Sequence, residues 1–179
     1  LMRGSTLLLL LLASPWALGQ DGPPAFLPPA PVRFLLTFDD GPSGMTEHNP
    51  TASILDQLAD NPIQAPIKAI FFVQTRFWKN GGSDIGQRLL RRLHAEGHLL
   101  AVHSGTARGH INHTQMPLEE LEQSLRDSSE DIHAITGEAP RFVRPPFWAF
   151  TNNTLDAYTR HRLHMLMYDI RVNDGKSGG

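Results

Sequence analysis

The stretch RFLLTFDDGP, Arg33 to Pro42, sets two carboxylates, Asp39 and Asp40, side by side against apolar residues. Adjacent like charges in such surroundings repel each other and resist burial. A cation that neutralises the pair removes the difficulty, and the same cation acidifies water. Neighbouring residues at a strand end point in different directions, so one acid can hold the ion while the other takes a proton from the water. The imidazoles such a site needs stand in HSGTARGHINH, where His103, His110 and His113 share one glycine-containing loop. Three histidines there suit a facial ligand set with one open position. FVRPPFW adds Arg144, which can pair with a carboxylate acting as a base, and the rings of Phe147 and Trp148, which can stack on a sugar face. YDIRVND supplies Asp169 and Asp174, either of which could fix the Arg144 guanidinium.

These residues must be brought together by the elements that carry them. Strand-like and helix-like patterns alternate from Val32 onward, which predicts an α/β architecture with parallel strands and crossover helices. Strands are expected at 32–38, 67–73, 98–103, 141–147 and 163–170. Helices are expected at 51–60, 84–97, 117–137 and 153–162. The second strand, IKAIFFV, is an almost continuous apolar run of the kind buried on both faces of a parallel sheet. In the long third helix Leu118, Leu121, Leu125, Ile132 and Ile135 form one stripe between Pro117 and Gly137. The predicted strands end at Asp39 and Asp40, Val73, His103, Arg144 and Asp169. The carboxyl edge of a parallel sheet is where loops gather into a site, so topology alone makes these residues converge.

Composition narrows the function. The 179 residues suffice for the core of one ordinary domain, and a formal charge of −2 without a long basic run excludes the footprint of a nucleic-acid binder. There is no cysteine, so disulfides, thiolate metal sites and lipidation at cysteine are excluded, and any metal must use His, Asp or Glu. LMRGSTLLLLLLASPWALGQD has the basic, apolar and small-residue regions of a secretory signal over residues 1–19. Its apolar run is too short for a membrane span, so a secreted, periplasmic or cell-envelope protein without an integral span is expected. Residues 20–31 read as a proline-rich linker, with one domain over 32–179.

TFDDGP, the histidine-rich loop after the third strand, RPPF and the late Asp-bearing strand together resemble the polysaccharide deacetylases, the NodB-homology domain of carbohydrate esterase family 4. The resemblance runs from about Val32 to the end of the chain. It implies a deformed (β/α) barrel and metal-dependent removal of acetyl groups from an amino-sugar polysaccharide such as peptidoglycan or chitin. It also implies roles: Asp39 as general base, Asp40 and His103 as metal ligands, Arg144 orienting Asp39, Pro146 and Phe147 lining the groove with Trp148 beside them, and Asp169 or Asp174 supporting Arg144. Zinc is the default metal, with cobalt, nickel or manganese as alternatives.

The pattern is departed from in three places. The family's two ligand histidines stand four apart, whereas the residue four after His103 is Ala107; His110 then serves as second histidine across an inserted ARG, with His113 as the alternative. The family's late Asp-Trp pair reads Asp174-Gly175. Its final Leu-x-His motif, carrying the general acid, has no counterpart before Gly179, so a barrel incomplete at its C-terminus is expected. Two other readings keep the fold: a non-catalytic carbohydrate-binding relic, and a hydrolase of a small amide or imide.

Overall fold

A computed structural model describes residues 33–64 and 66–170. The expected signal segment, the proline-rich linker and Asp174 lie outside the described residues.

The described chain forms an α/β unit around a five-stranded, all-parallel sheet in sequential order. Its strands are β1 (Leu36–Gly41), β2 (Ala69–Gln74), β3 (Leu99–Ser104), β4 (Phe142–Val143) and β5 (His164–Met165). The crossover helices are α1 (Pro50–Ala59), α2 (Asp84–Ala95), α3 (Leu118–Thr136) and α4 (Asn152–Arg160). The alternation expected from the sequence is therefore present, with every strand–helix–strand connection in place.

Local chemistry sets the helix ends. Asn49 caps α1 by accepting from the Ala52 N–H, and Ser83 caps α2 by accepting from Gly86. Thr151 and Thr154 form a reciprocal capping box on α4, while α3 stops at Gly137 in a left-handed conformation.

Every residue of β2 is buried, as its apolar run requires. On the helical side Phe71, Val73, Leu100, Val102 and Val143 pack with Leu55, Leu90, Leu93, Leu125, Ile132 and Tyr158. A second cluster of Ile70, Phe72 and Ala101, with Phe142 and Leu166 against it, covers the opposite face. Gly105 lets β3 leave the sheet close beside α3, since a Cβ there would stand 2.2 Å from the Ser124 carbonyl.

Three strand boundaries differ from expectation, each for a physical reason. β1 runs to Gly41, so both acids lie within the strand rather than after it, at a register irregularity between Phe38 and Gly41. β4 stops at Val143, because Pro145 and Pro146 come directly after Arg144 and prolines cannot donate to a ladder. β5 spans His164–Met165 instead of 163–170, because the carbonyls of Leu166 and Met167 turn to the Arg144 side chain.

Candidate metal centre at the carboxyl edge of the sheet

Arg144 organises the carboxyl edge. Its backbone N–H donates to Val102 and its carbonyl accepts from His103 Nδ1 at 2.7 Å. Its side chain is 2 % exposed. Nε donates to the Leu166 carbonyl at 2.9 Å and Nη2 to Met167 at 2.8 Å. Nη1 donates to Thr37 Oγ1 at 2.7 Å and to Asp39 Oδ1 at 2.9 Å. The guanidinium carbon also lies 4.1 Å from the Phe72 ring centre and 5.0 Å from that of Trp148. One residue thus links β1, β3 and the segment after β5. Asp169 is exposed beyond β5, and none of these bonds reaches it.

Asp40 faces the other way. Its φ of 64° is left-handed, which an aspartate tolerates better than most residues. Two amides hold it there. Asn80 Nδ2 donates to the Asp40 carbonyl at 2.5 Å and to the Pro42 carbonyl at 3.0 Å. Gln74 Nε2 donates to the Asp40 carbonyl at 3.3 Å and to Oδ1 at 3.2 Å. Neither amide was expected from the sequence. Gln74 carried the signal, because it is the polar residue that ends β2 one position beyond Val73.

His103 and His110 approach the same carboxylate oxygen, with Nε2 to Asp40 Oδ1 distances of 3.3 and 3.4 Å. The three ligand atoms lie within 4.8 Å of one another. A carbonyl can only accept, so His103 carries its proton on Nδ1 and turns a bare Nε2 lone pair toward Asp40. Both Nε2 atoms are buried without a hydrogen-bond partner. Two orphaned imidazole nitrogens and a carboxylate converging on one point make a donor set that a divalent cation satisfies. Burial pushes the Asp40 carboxyl up, but the neighbouring His103 and His110 rings and the Gln74 amide outweigh it and hold the group below the usual carboxylate range. Burial, against the pull of Asp40, pushes His110 down, in the direction of the neutral form that metal ligation requires.

The wider spacing of His103 and His110 is absorbed by a turn. The Gly109 carbonyl accepts from Ser104 Oγ at 2.9 Å and Thr106 Oγ1 at 3.2 Å. Gly109 has φ 86°, and a Cβ there would stand 2.9 Å from the Phe77 ring. His113 is not in the three-residue group. It begins a 3₁₀ turn, His113–Gln115, and its Nδ1 shares a 2.8 Å hydrogen bond with the Tyr158 hydroxyl of α4.

Burial, reinforced by repulsion from His103 and His110, lowers the His113 pKa to about 3. Unfolding restores its ordinary value of about 6.5. The folded state therefore binds fewer protons between those values, and stability contributed by neutral His113 is complete above pH 6.5 and is lost as pH falls toward 3. In chelator-treated protein the expected loss reaches about 1.4 kcal/mol per pH unit inside that window. Urea unfolding at pH 7, 5.5 and 4.5 checks this, and His113→Gln should show the shallower dependence.

Pro146, Phe147 and Trp148 form a second 3₁₀ turn at the same edge. Phe147 is exposed and its ring stacks on His110, while Trp148 meets Tyr168 edge-on at 4.4 Å.

Known proteins resemble the chain in sequence and in fold. Residues 28–166 match the family profile described as polysaccharide deacetylase. A peptidoglycan-N-acetylglucosamine deacetylase of Bacillus cereus is 28 % identical over 141 residues, covering 79 % of this chain and 46 % of the relative. A chitin deacetylase of Colletotrichum lindemuthianum is 32 % identical over 137 residues, covering 75 % of this chain and 50 % of the relative. The solved structure of a family 4 carbohydrate esterase from Streptomyces lividans in complex with acetate superposes with a TM-score of 0.61 at 26 % identity, covering 76 % of this chain and 62 % of that one. The chain spans about half the length of the curated relatives it matches.

Proposed function

The chain belongs to the polysaccharide deacetylase family, and from that membership we propose that it hydrolyses acetyl groups from an exported amino-sugar polymer with a divalent metal held by Asp40, His103 and His110. The observation that carries this reading is the convergence of two buried, unpartnered imidazole nitrogens on Asp40, with Asp39 held next to it by Arg144. When bound, a divalent ion supplies Lewis acidity, polarising an acetyl carbonyl and making water acidic near neutral pH. Zinc fits a His/carboxylate donor set, and cobalt, nickel or manganese could replace it.

The chain's own groups do the rest. Asp39 Oδ1 is engaged by Arg144, which leaves Oδ2 to accept the proton of an attacking water. Arg144 fixes the rotamer of that base and, through its carbonyl, the tautomer of His103. In the loop after Pro145 the N–H groups of Trp148 and Ala149 donate to Pro145 and Pro146. The Phe147 N–H between them would donate to the oxyanion that develops on the acetyl carbonyl.

A polymer fits better than a small amide. More than half of the Asp40 side chain is accessible and the Phe147 ring beside it is exposed, as an open groove requires and a closed pocket does not. Peptidoglycan and chitin are the polymers named for the two curated relatives. Such substrates lie outside the cytoplasm, in keeping with the signal-like composition of residues 1–19.

Acetate release from a chitin oligomer and from peptidoglycan, measured before chelation, after it and after zinc is restored, tests the reading. Release that chelator abolishes and zinc restores is expected. Metal binding without release from either polymer would sink it.

A further inference from the structure

We propose that Phe147 is a positioning residue whose ring, in place of a hydrogen bond, fixes the orientation of His110 for metal ligation. The inference rests on the reading of His110 as a ligand. A metal-ligating histidine ordinarily donates its second ring N–H to an acceptor, which fixes both tautomer and ring plane. His103 obeys that rule through Nδ1 and the Arg144 carbonyl. His110 does not: among the described residues no hydrogen bond reaches its ring, and its buried Nε2 stands 3.4 Å from Asp40 Oδ1 without one. What touches the ring is Phe147, with centroids 4.3 Å apart and planes 26° from parallel, and His103 at 5.0 Å and 29°.

The backbone of Phe147 points to the same role. Its φ is 60° and that of Trp148 is 61°, two successive side-chain-bearing residues in the left-handed region. Such conformations persist only where the surroundings impose them. Burial does not impose this one, since Phe147 is 58 % exposed. The loop is instead held from its ends. Arg144 is anchored by backbone and guanidinium, Pro145 and Pro146 stiffen the chain between Arg144 and Phe147, and the Trp148 N–H closes back on the Pro145 carbonyl at 3.1 Å. This geometry delivers the Phe147 ring onto His110.

His110 has particular need of it. The turn through Gly109 secures the backbone of His110 through the Ser104 and Thr106 hydroxyls, but provides no hydrogen bond to its ring. The Phe147 contact supplies the missing restraint, and the metal-facing Nε2 is left free to ligate.

The experiment measures the zinc dissociation constant by competition with a chromophoric chelator, and the visible absorption of the cobalt-loaded protein, for wild type, Phe147→Ala, Phe147→Gly, Phe147→Tyr and His110→Ala. Loss of an outer partner weakens metal binding about 10- to 100-fold. Phe147→Ala should bind zinc about 10-fold more weakly and alter the cobalt band. Phe147→Gly, which relieves the backbone but also lacks the ring, should be weakened as well, and Phe147→Tyr should restore wild-type affinity and spectrum. Wild-type affinity and an unchanged cobalt band in Phe147→Ala, beside a weakened His110→Ala, overturn this inference alone, as does a failure of Phe147→Tyr to rescue. Absence of zinc binding in the wild type, or full affinity in His110→Ala, overturns the metal reading and this inference with it.

Discussion

Asp39→Asn is expected to abolish acetate release while the metal stays bound, whereas Asp40→Asn is expected to lose the metal itself. The two acids are adjacent in sequence but occupy different surroundings. Asp39 is tied to Arg144 Nη1 and to no imidazole, so amidation removes a proton acceptor and leaves the three-group cluster intact. Loss of a general base costs about 100- to 10,000-fold in rate. Asp40 shares its Oδ1 with the approaches of His103 and His110, so amidation removes the one carboxylate of the cluster. Metal affinity should fall by more than the ~100-fold that loss of an outer partner can cost. Metal content per chain after dialysis, measured beside turnover, separates the two effects. Equal metal loss in both variants would show that the division of roles is wrong.

Arg144→Leu is expected to be the most destabilising single substitution, at about 3–5 kcal/mol. The guanidinium serves a carboxylate, a hydroxyl and two backbone carbonyls from a nearly inaccessible position. Removing it strands Asp39 without its cation and leaves the Leu166 and Met167 carbonyls without donors, and the costs of unpaired buried polar groups add to the loss of packing on Phe72. Arg144→Lys should recover only part, because an ammonium cannot reproduce donors pointing toward β1 and toward the segment after β5 at once. Urea unfolding of chelator-treated protein at pH 7 measures both. A Leu variant within about 1 kcal/mol of wild type would mean that the network is not coupled to folding.

Much of this organisation could be read from residue order. The alternation of apolar runs and amphipathic helices specified a parallel α/β sheet, because burial on two faces and burial on one stripe leave different periodicities. Asp39, Asp40, His103 and Arg144 could be placed at one edge, because strand ends in such a sheet lie together whatever their separation in sequence. The chemistry of those side chains was legible as well, since adjacent acids and clustered imidazoles have few other uses at a sheet edge.

Other features depended on distances that no spacing encodes. His110 and His113 are both near enough in sequence to His103 to approach Asp40, and which of them does so depends on how the turn at Gly109 closes and on Tyr158, supplied by a helix forty-five residues away, which engages His113. Gln74 and Asn80 reach Asp40 from β2 and the loop after it, and an amide in a loop carries no mark of the carbonyl it will meet. Arg144 meets Asp39 as its charge suggests, but the Leu166 and Met167 carbonyls that also accept from it carry no mark in the sequence, because they are turned inward only where β5 ends early. The sequence by itself determined which chemical groups stand at the sheet edge, through periodicity and strand order. Only the tertiary structure decided which of them touch, because hydrogen-bond contacts of about 3 Å depend on turn conformations and side-chain rotamers set by the whole packed chain.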